Sequence, residues 1–463
     1  MSATQLVNAY GKGDLSPVDA VCAVLDRIKL LDGQLNAFCA VDEEGAVEAA
    51  LASEKRWHKR MSLSPLDGIP VSVKDLVTAK GMPTRYGSRA IRPGSTSDVD
   101  APPVKLLRQA GAIIFGKTTT SEFGNKIVTE NPLTGITRNP WNPARSSGGS
   151  SGGSAVAIAT GMGPLALATD GGGSIRIPSA WCGVFGFKPS FKRVPSGGGD
   201  LFGLSNIGPI GRTVGDVARM MTALTKPCSS DWELVPPDGR DYETGLDDGL
   251  KDLRIAVSMD LGIVSVRDDI VSQVRDAVKL FDSLGARVET IDVPPLRSYL
   301  QEQIHSIQWM VRLAQLVRDL PDDQQELLDP DTLALARLGE GVPTAVLMNA
   351  LALRHQLAWQ MHSFFDSYDL LVTPTFHVAP PDVPGLPAEL QTAPPMTSWC
   401  NQTMQPAASI PCGFTTDGLP VGLQIIGGRF SDALVLRAAR AFEMARGQFP
   451  VPAITELSSG DRA

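Results

Sequence analysis

Apolar residues along the chain recur with two different periods, and the alternation between those periods is the first guide to the fold. After Ser16-Pro17, a pair suited to a helix start, Val18, Val21, Val24, Leu25, Ile28 and Leu31 fall three and four apart and predict a helix. The run PLDGIPVSVKDLV (65–77) reads as a short strand after a Gly-Ile-Pro turn, with Lys74 near its end. Val104 to Ala110 reads as helix and AGAIIFGKT (110–118) as a buried strand, a βαβ-like succession. LRIAVSMD (253–260), an amphipathic stretch from about Asp268 to Leu284, and ARVETIDV (286–293) repeat that succession.

Between Gly148 and Gly199 the chain holds 14 of its 45 glycines, interleaved with the helical run SAVAIATGM and the short apolar pieces PLALAT and GVFGF. Loops that must approach something closely are expected there. Residues 300–365 have helical periodicity with breaks at Pro321, Pro330 and Pro343, DLLVTPTF (369–376) reads as a buried strand, and 381–395 is a proline-rich loop. GLPVGLQIIG and SDALVLRAARAFEMA close the chain as strand and helix. No repeat or linker-like composition breaks the order, so a single α/β domain over 1–463 is the expected organisation.

Charge narrows the partners. The 42 basic and 50 acidic residues leave a formal net charge of -8 and form no long runs, which argues against nucleic acid. The six cysteines are scattered without a C-x-x-C pair, and the five histidines do not cluster, so neither a disulfide framework nor zinc is expected. The N-terminus lacks a basic start followed by an apolar stretch, and no apolar run reaches membrane-spanning length. A soluble cytoplasmic protein, monomeric or homodimeric, is the expectation.

Three constellations compete for the chemistry. Gly111 to Thr118 matches G-x-x-x-x-G-K-T, but the strand-like AIIF fills the space that a phosphate loop needs. Gly148 to Gly152 (GGSSG) matches G-x-S-x-G, the nucleophile elbow, with SAVAIAT as a following helix. His377 is then the best base, though its nearest acid, Asp382, lies in the proline-rich loop. The third is Lys74 in V-S-V-K-D-L, where burial would depress its pKa and make a neutral amine a base. Pairing with Asp75 is the plainer account of the same lysine. In DGGGSIRIP (170–178), three glycines before Ser174 let backbone N–H groups converge, as an oxyanion requires, and Asp170 and Arg176 flank the turn and could brace it.

The segment GGSSGGSAVAIATGMGPLALATDGGGSIRIPSAWCGVFGFKPS resembles the defining stretch of the amidase signature family, serine hydrolases with a Ser-Ser-Lys triad. Similar pieces run in order along almost the whole chain, from DGIPVSVKDLV through IGPIGRTVGDVA to NQTMQPAASIPCGF and GLPVGLQIIGGRF. The resemblance implies a large mixed twisted β-sheet covered by helices on both faces, with a signature core at about 65–215 and a mostly helical substrate region at about 300–400. It places the family's lysine on Lys74, its bridging serine, with a cis peptide, on Ser150, and its nucleophile on Ser174. Ser151 is implied as support, and the N–H groups of Gly171, Gly172, Gly173 and Ser174 as the oxyanion hole. No metal or cofactor is implied. Departures are DGGGS where a threonine often precedes two glycines, Met404 where glycine is common, and Leu76 where asparagine is frequent.

The activity so implied is hydrolysis of C–N bonds in small amides, with aryl or alkyl carbamates and esters open to the same relay. The alternative within the family is the A subunit of glutamyl-tRNA amidotransferase, though Ser190 to Gly203 (SFKRVPSGGGDLFG) does not resemble the wording expected of it. A binding protein on an inactive fold is disfavoured because all three triad positions are filled. Leu201, Phe202, Trp309, Met310, Phe376 and Met404 are candidates for an apolar pocket and equally for core.

Overall fold

Alternation along each strand decides which side of the sheet a residue faces. The computed structural model describes residues 1–94, 96–293, 296, 303–387, 390 and 396–456. Its strands are β1 (Phe38–Val41), β2 (Pro70–Lys74), β3 (Ile113–Thr118), β4 (Glu130–Asn131), β5 (Gly135–Ile136), β6 (Leu165–Asp170), β7 (Phe185–Lys188), β8 (Asn206–Gly211), β9 (Arg254–Val257), β10 (Arg287–Thr290), β11 (Leu370–Pro374), β12 (Ala407–Phe414) and β13 (Pro420–Gly427). Eleven of them form one sheet in the order β1-β3-β2-β6-β8-β7-β12-β13-β11-β9-β10, and β4 pairs with β5 apart from it. β2 runs parallel to both β3 and β6, and β9 runs parallel to both β10 and β11, while the other neighbours are antiparallel. Helices Pro102–Gln109 and Asp268–Ser283 make the crossovers that the parallel pairs β2/β3 and β9/β10 need.

Val71, Val73, Leu165 and Leu167 face one side of the sheet, where they meet Val217 and Leu224 of helix Val214–Leu224 and Phe442 of helix Asp432–Arg446. Ile113, Phe115, Ala166 and Ala168 face the other, against Val21, Ile28 and Leu31 of helix Pro17–Leu35 and Val156 and Ile158 of helix Gly152–Ala159. Each large apolar side chain so buried contributes about 1.5–3 kcal/mol. Helix Pro17–Leu35 follows helix Ala3–Lys12 and begins as its sequence predicts. Ser16 Oγ accepts from Asp19 N at 3.1 Å and Asp19 Oδ2 accepts from Ser16 N at 2.8 Å.

Prolines punctuate the helical region as expected. Helices Ile304–Arg318, Asp322–Gln325, Pro330–Glu340 and Thr344–Ser367 are separated there, with Pro321 and Pro343 at N-caps and Pro330 inside a first turn. Residues 300–302 of that region, and 388, 389 and 391–395 of the proline-rich loop, lie outside the described residues. β12 carries no strand-like alternation in its sequence, AASIPCGF, and its pairing with β13 is broken by an irregularity between Pro411 and Gly413. Gly116, Lys117 and Thr118 lie within β3, so the P-loop-like motif is strand. No described helix is long and apolar enough to cross a membrane.

Candidate active site

Lys74 is the last residue of β2, and alternation turns it away from Val71 and Val73 toward the side where helix Gly152–Ala159 lies. Just before that helix the Gly149–Ser150 peptide is cis. Gly149 is required there because a Cβ would come within 2.6 Å of the Val128 backbone. Lys74 Nζ lies 2.7 Å from Ser150 Oγ, 2.8 Å from Ser151 Oγ and 2.9 Å from Thr169 Oγ1. Asp75, the other partner considered for Lys74, is turned elsewhere. Its carboxylate accepts from the N–H groups of Arg85 and Gly87, each at 3.1 Å, and faces Lys117 at 3.6 Å.

Burial pushes the Lys74 ammonium well below its ordinary pKa, with Asp170 opposing the shift. The surrounding hydrogen bonds suit a neutral amine, which has two N–H donors and one lone pair. Ser151 Oγ donates to Thr169 O at 3.1 Å, so toward Lys74 it accepts. With Thr169 Oγ1 accepting the second N–H, the lone pair is left for the Ser150 hydroxyl.

Ser174 stands half-buried at the end of the glycine turn that follows β6. The turn is wound around Asp170, which accepts from Gly173 N at 2.8 Å and Ile175 N at 3.1 Å. Arg176 grips the same carboxylate through Nε at 3.0 Å and Nη2 at 2.9 Å, and also donates to Thr397 O, Gln424 Oε1 and Asn401 Oδ1. Both side chains are fully buried. Burial alone would raise the Asp170 carboxyl, but the guanidinium outweighs it and holds the pKa well below the usual carboxylate range. Gly173 has φ 135°, and a Cβ on it would sit 2.3 Å from Thr397 Oγ1. Ser151 N donates to Ser174 O at 3.2 Å and ties the two serine loops together.

A cavity of about 420 Å³ opens on Ser174. Gly124, Asn125, Ile127, Val128 and Gly172 to Ser174 form one wall, and His305, Trp309, Met310, Leu335 and Leu338 form another. Gly124 also abuts Ser150, since a Cβ on it would meet Ser150 Oγ at 3.3 Å. Of the apolar candidates, Trp309 and Met310 line this cavity, whereas Phe376 packs edge-on against Trp181 at 5.5 Å. The lining's charged side chains are Lys126, Glu130 and Asp331. Lys126 is already held by Asp329 at 2.9 Å and Asp331 at 2.7 Å.

Sequence reasoning did not single out His305, which the fold brings to the cavity wall. Its ring lies beside the glycine turn and stacks on Trp309 at 5.6 Å. Its helical position carried no signal of that proximity. His377, the rival base, is half-buried with its Nδ1 unpartnered among the described residues, and Asp382 faces Arg145 at 3.3 Å.

The amidase family model matches residues 19–436. The chain belongs to the amidase family. It is 34% identical to an acylamidase of Rhodococcus erythropolis, across 96% of this chain and 95% of that one. It is 33% identical to the A subunit of a glutamyl-tRNA(Gln) amidotransferase of Alkaliphilus metalliredigens, with 97% of each covered. The crystal structure of a bacterial aryl acylamidase of the amidase signature enzymes superposes with a TM-score of 0.89 at 29% identity, with 96% of each chain covered. Met404, one of the departures read from the sequence, has φ 66°, the left-handed region that favours glycine.

Proposed function

We propose that this amidase-family chain hydrolyses small uncharged amides and carbamates, with esters as a side activity, through an acyl-enzyme on Ser174. Neutral Lys74 takes the Ser150 proton while Ser150 takes that of Ser174, whose Oγ attacks the substrate carbonyl. Ser150 then returns a proton to the departing amine, and water attacks the ester through the same relay. The Gly173 N–H is engaged by Asp170, so the oxyanion contact narrows to the N–H groups of Gly171, Gly172 and Ser174. Ser151 holds Lys74 from the side, and the Asp170–Arg176 pair keeps the turn in shape.

The observation that carries this reading is the buried Lys74–Ser150 contact beside a cavity that Ser174 lines. The cavity also speaks to substrate charge. Glutamine would bring an α-carboxylate, yet the only cation in the described lining is paired with two aspartates. The second reading, the A component of an amidotransferase, is favoured by the likeness to such chains. Both are tested by giving the purified chain 4-nitroanilides, aryl carbamates, esters and glutamine, with and without amidotransferase partner subunits. Turnover of the uncharged compounds by the chain alone is expected. Glutamine hydrolysis that appears only with the partner subunits would sink the proposal.

A further inference from the structure

Helix Ile304–Arg318 begins at the glycine turn. A Cβ on Gly172 would come within 2.9 Å of His305 Nε2, and one on Gly171 within 3.0 Å of Trp309 Cζ3. Gly172 and Ser174 are two residues apart, so their Cα atoms lie within about 7 Å. His305 Nε2 therefore lies on the stretch of cavity wall that Gly172 and Ser174 share.

The other ring nitrogen is committed. Gln308 Nε2 donates to Gln402 Oε1 at 3.2 Å, which turns the Gln402 amide nitrogen toward His305 Nδ1 at 3.3 Å. The Gln402 backbone is anchored as well, because its carbonyl accepts from Arg354 Nε at 2.9 Å. With the Gln402 amide in that orientation Nδ1 is the acceptor, which leaves the imidazole proton to Nε2 on the cavity side. No hydrogen bond to Nε2 is formed among the described residues. We infer that His305 is a substrate-recognition residue, a neutral N–H donor to an acceptor oxygen attached directly to the scissile carbonyl, which is the alkoxy oxygen of a carbamate.

This inference rests on the proposed hydrolysis and adds a preference within it. An alkyl amide has a methylene at that position and leaves the donor unanswered, which costs discrimination of the kind seen when a buried polar group loses its partner. Burial lowers the His305 pKa to about 4, with Asp170 and Asp200 opposing it and Arg354 and Arg176 adding to it. The ring accordingly remains a neutral donor near neutral pH.

A matched pair of substrates tests the idea. Ethyl N-(4-nitrophenyl)carbamate and N-(4-nitrophenyl)butanamide share a leaving amine and differ by O against CH₂ beside the carbonyl. The ratio of their kcat/KM values should fall about tenfold in His305→Phe and recover substantially in His305→Gln, whose amide can donate. Fluorophosphonate labelling of Ser174 in each variant reports that the site is still assembled. Ring ¹⁵N shifts of His305 should show the Nε2–H tautomer with no titration between pH 5 and 8. A ratio unchanged in a labelled His305→Phe, or an Nδ1–H tautomer, overturns the inference alone. Wild-type protein that turns over neither substrate sinks the proposed function with it.

Discussion

One wall of the Ser174 cavity is built around a buried ion pair and the other mainly on apolar packing. On the first, Asp170 receives two backbone N–H groups and two guanidinium nitrogens, and Asn401 Nδ2 donates to both its carbonyl and its carboxylate. On the second, helices Ile304–Arg318 and Pro330–Glu340 meet through Leu313, Val317, Ala336 and Leu328, with Trp309 and Leu335 at the edge of that cluster. Charged networks have steep geometric optima, whereas apolar contacts tolerate changes of shape. In the proposed reaction, bond-breaking belongs to the first wall and substrate choice to the second. Glu122 joins them, accepting from Ser88 Oγ at 2.6 Å on the core side and from Asp329 N at 2.9 Å on the helical side.

The comparison breaks most visibly at the chemical wall. Ser174→Ala should lower kcat/KM by on the order of 10⁴ or more, and Lys74→Ala by on the order of 10³, both measured by release of 4-nitroaniline from folded protein. The Lys74 pKa is depressed and its neutral form is the base, so wild-type kcat/KM should be lost as pH falls through the folded pKa of Lys74. Retained activity in either variant would refute the relay.

Stability is the next largest effect. Arg176→Met removes the cation from a fully buried carboxylate and should destabilise the fold by about 3–5 kcal/mol, read from urea denaturation. A loss near zero would mean that the turn does not depend on this pair. The smallest effect belongs to the packed wall. Leu335→Ala should raise KM for aryl substrates by about tenfold and leave kcat nearly unchanged, since a half-buried leucine side chain lost from an apolar pocket costs about 1.4 kcal/mol, within the range for removed methylenes. An equal fall in kcat would erase the division between the two walls.

Legibility in the sequence followed the range of the interaction. Helix Pro17–Leu35, β2, β3 and the helix breaks at Pro321, Pro330 and Pro343 could be read because caps, alternation and proline act over a few residues. β12 could not, because AASIPCGF is a strand only by virtue of its neighbours β7 and β13. In the site, the two glycine-bounded serines and the lysine stood out by local wording. The commitment of Gly173 N–H to Asp170 and the turning of Asp75 toward Lys117 did not, since each depends on where a side chain finally points.

The sequence by itself determined the residue types that the chemistry needs and the backbone freedom around them. It placed a lysine at the end of an apolar strand, a serine after Gly148-Gly149, and another after Gly171-Gly172-Gly173. Only the tertiary structure decided that Lys74 meets Ser150 and Ser151, and that His305 arrives beside Gly172 with its Nδ1 against the Gln402 amide. The physical reason is that composition and periodicity constrain conformation over a turn or two of chain. A proton's location and an amine's charge are set by burial and by partners that only the folded sheet and its helices bring together.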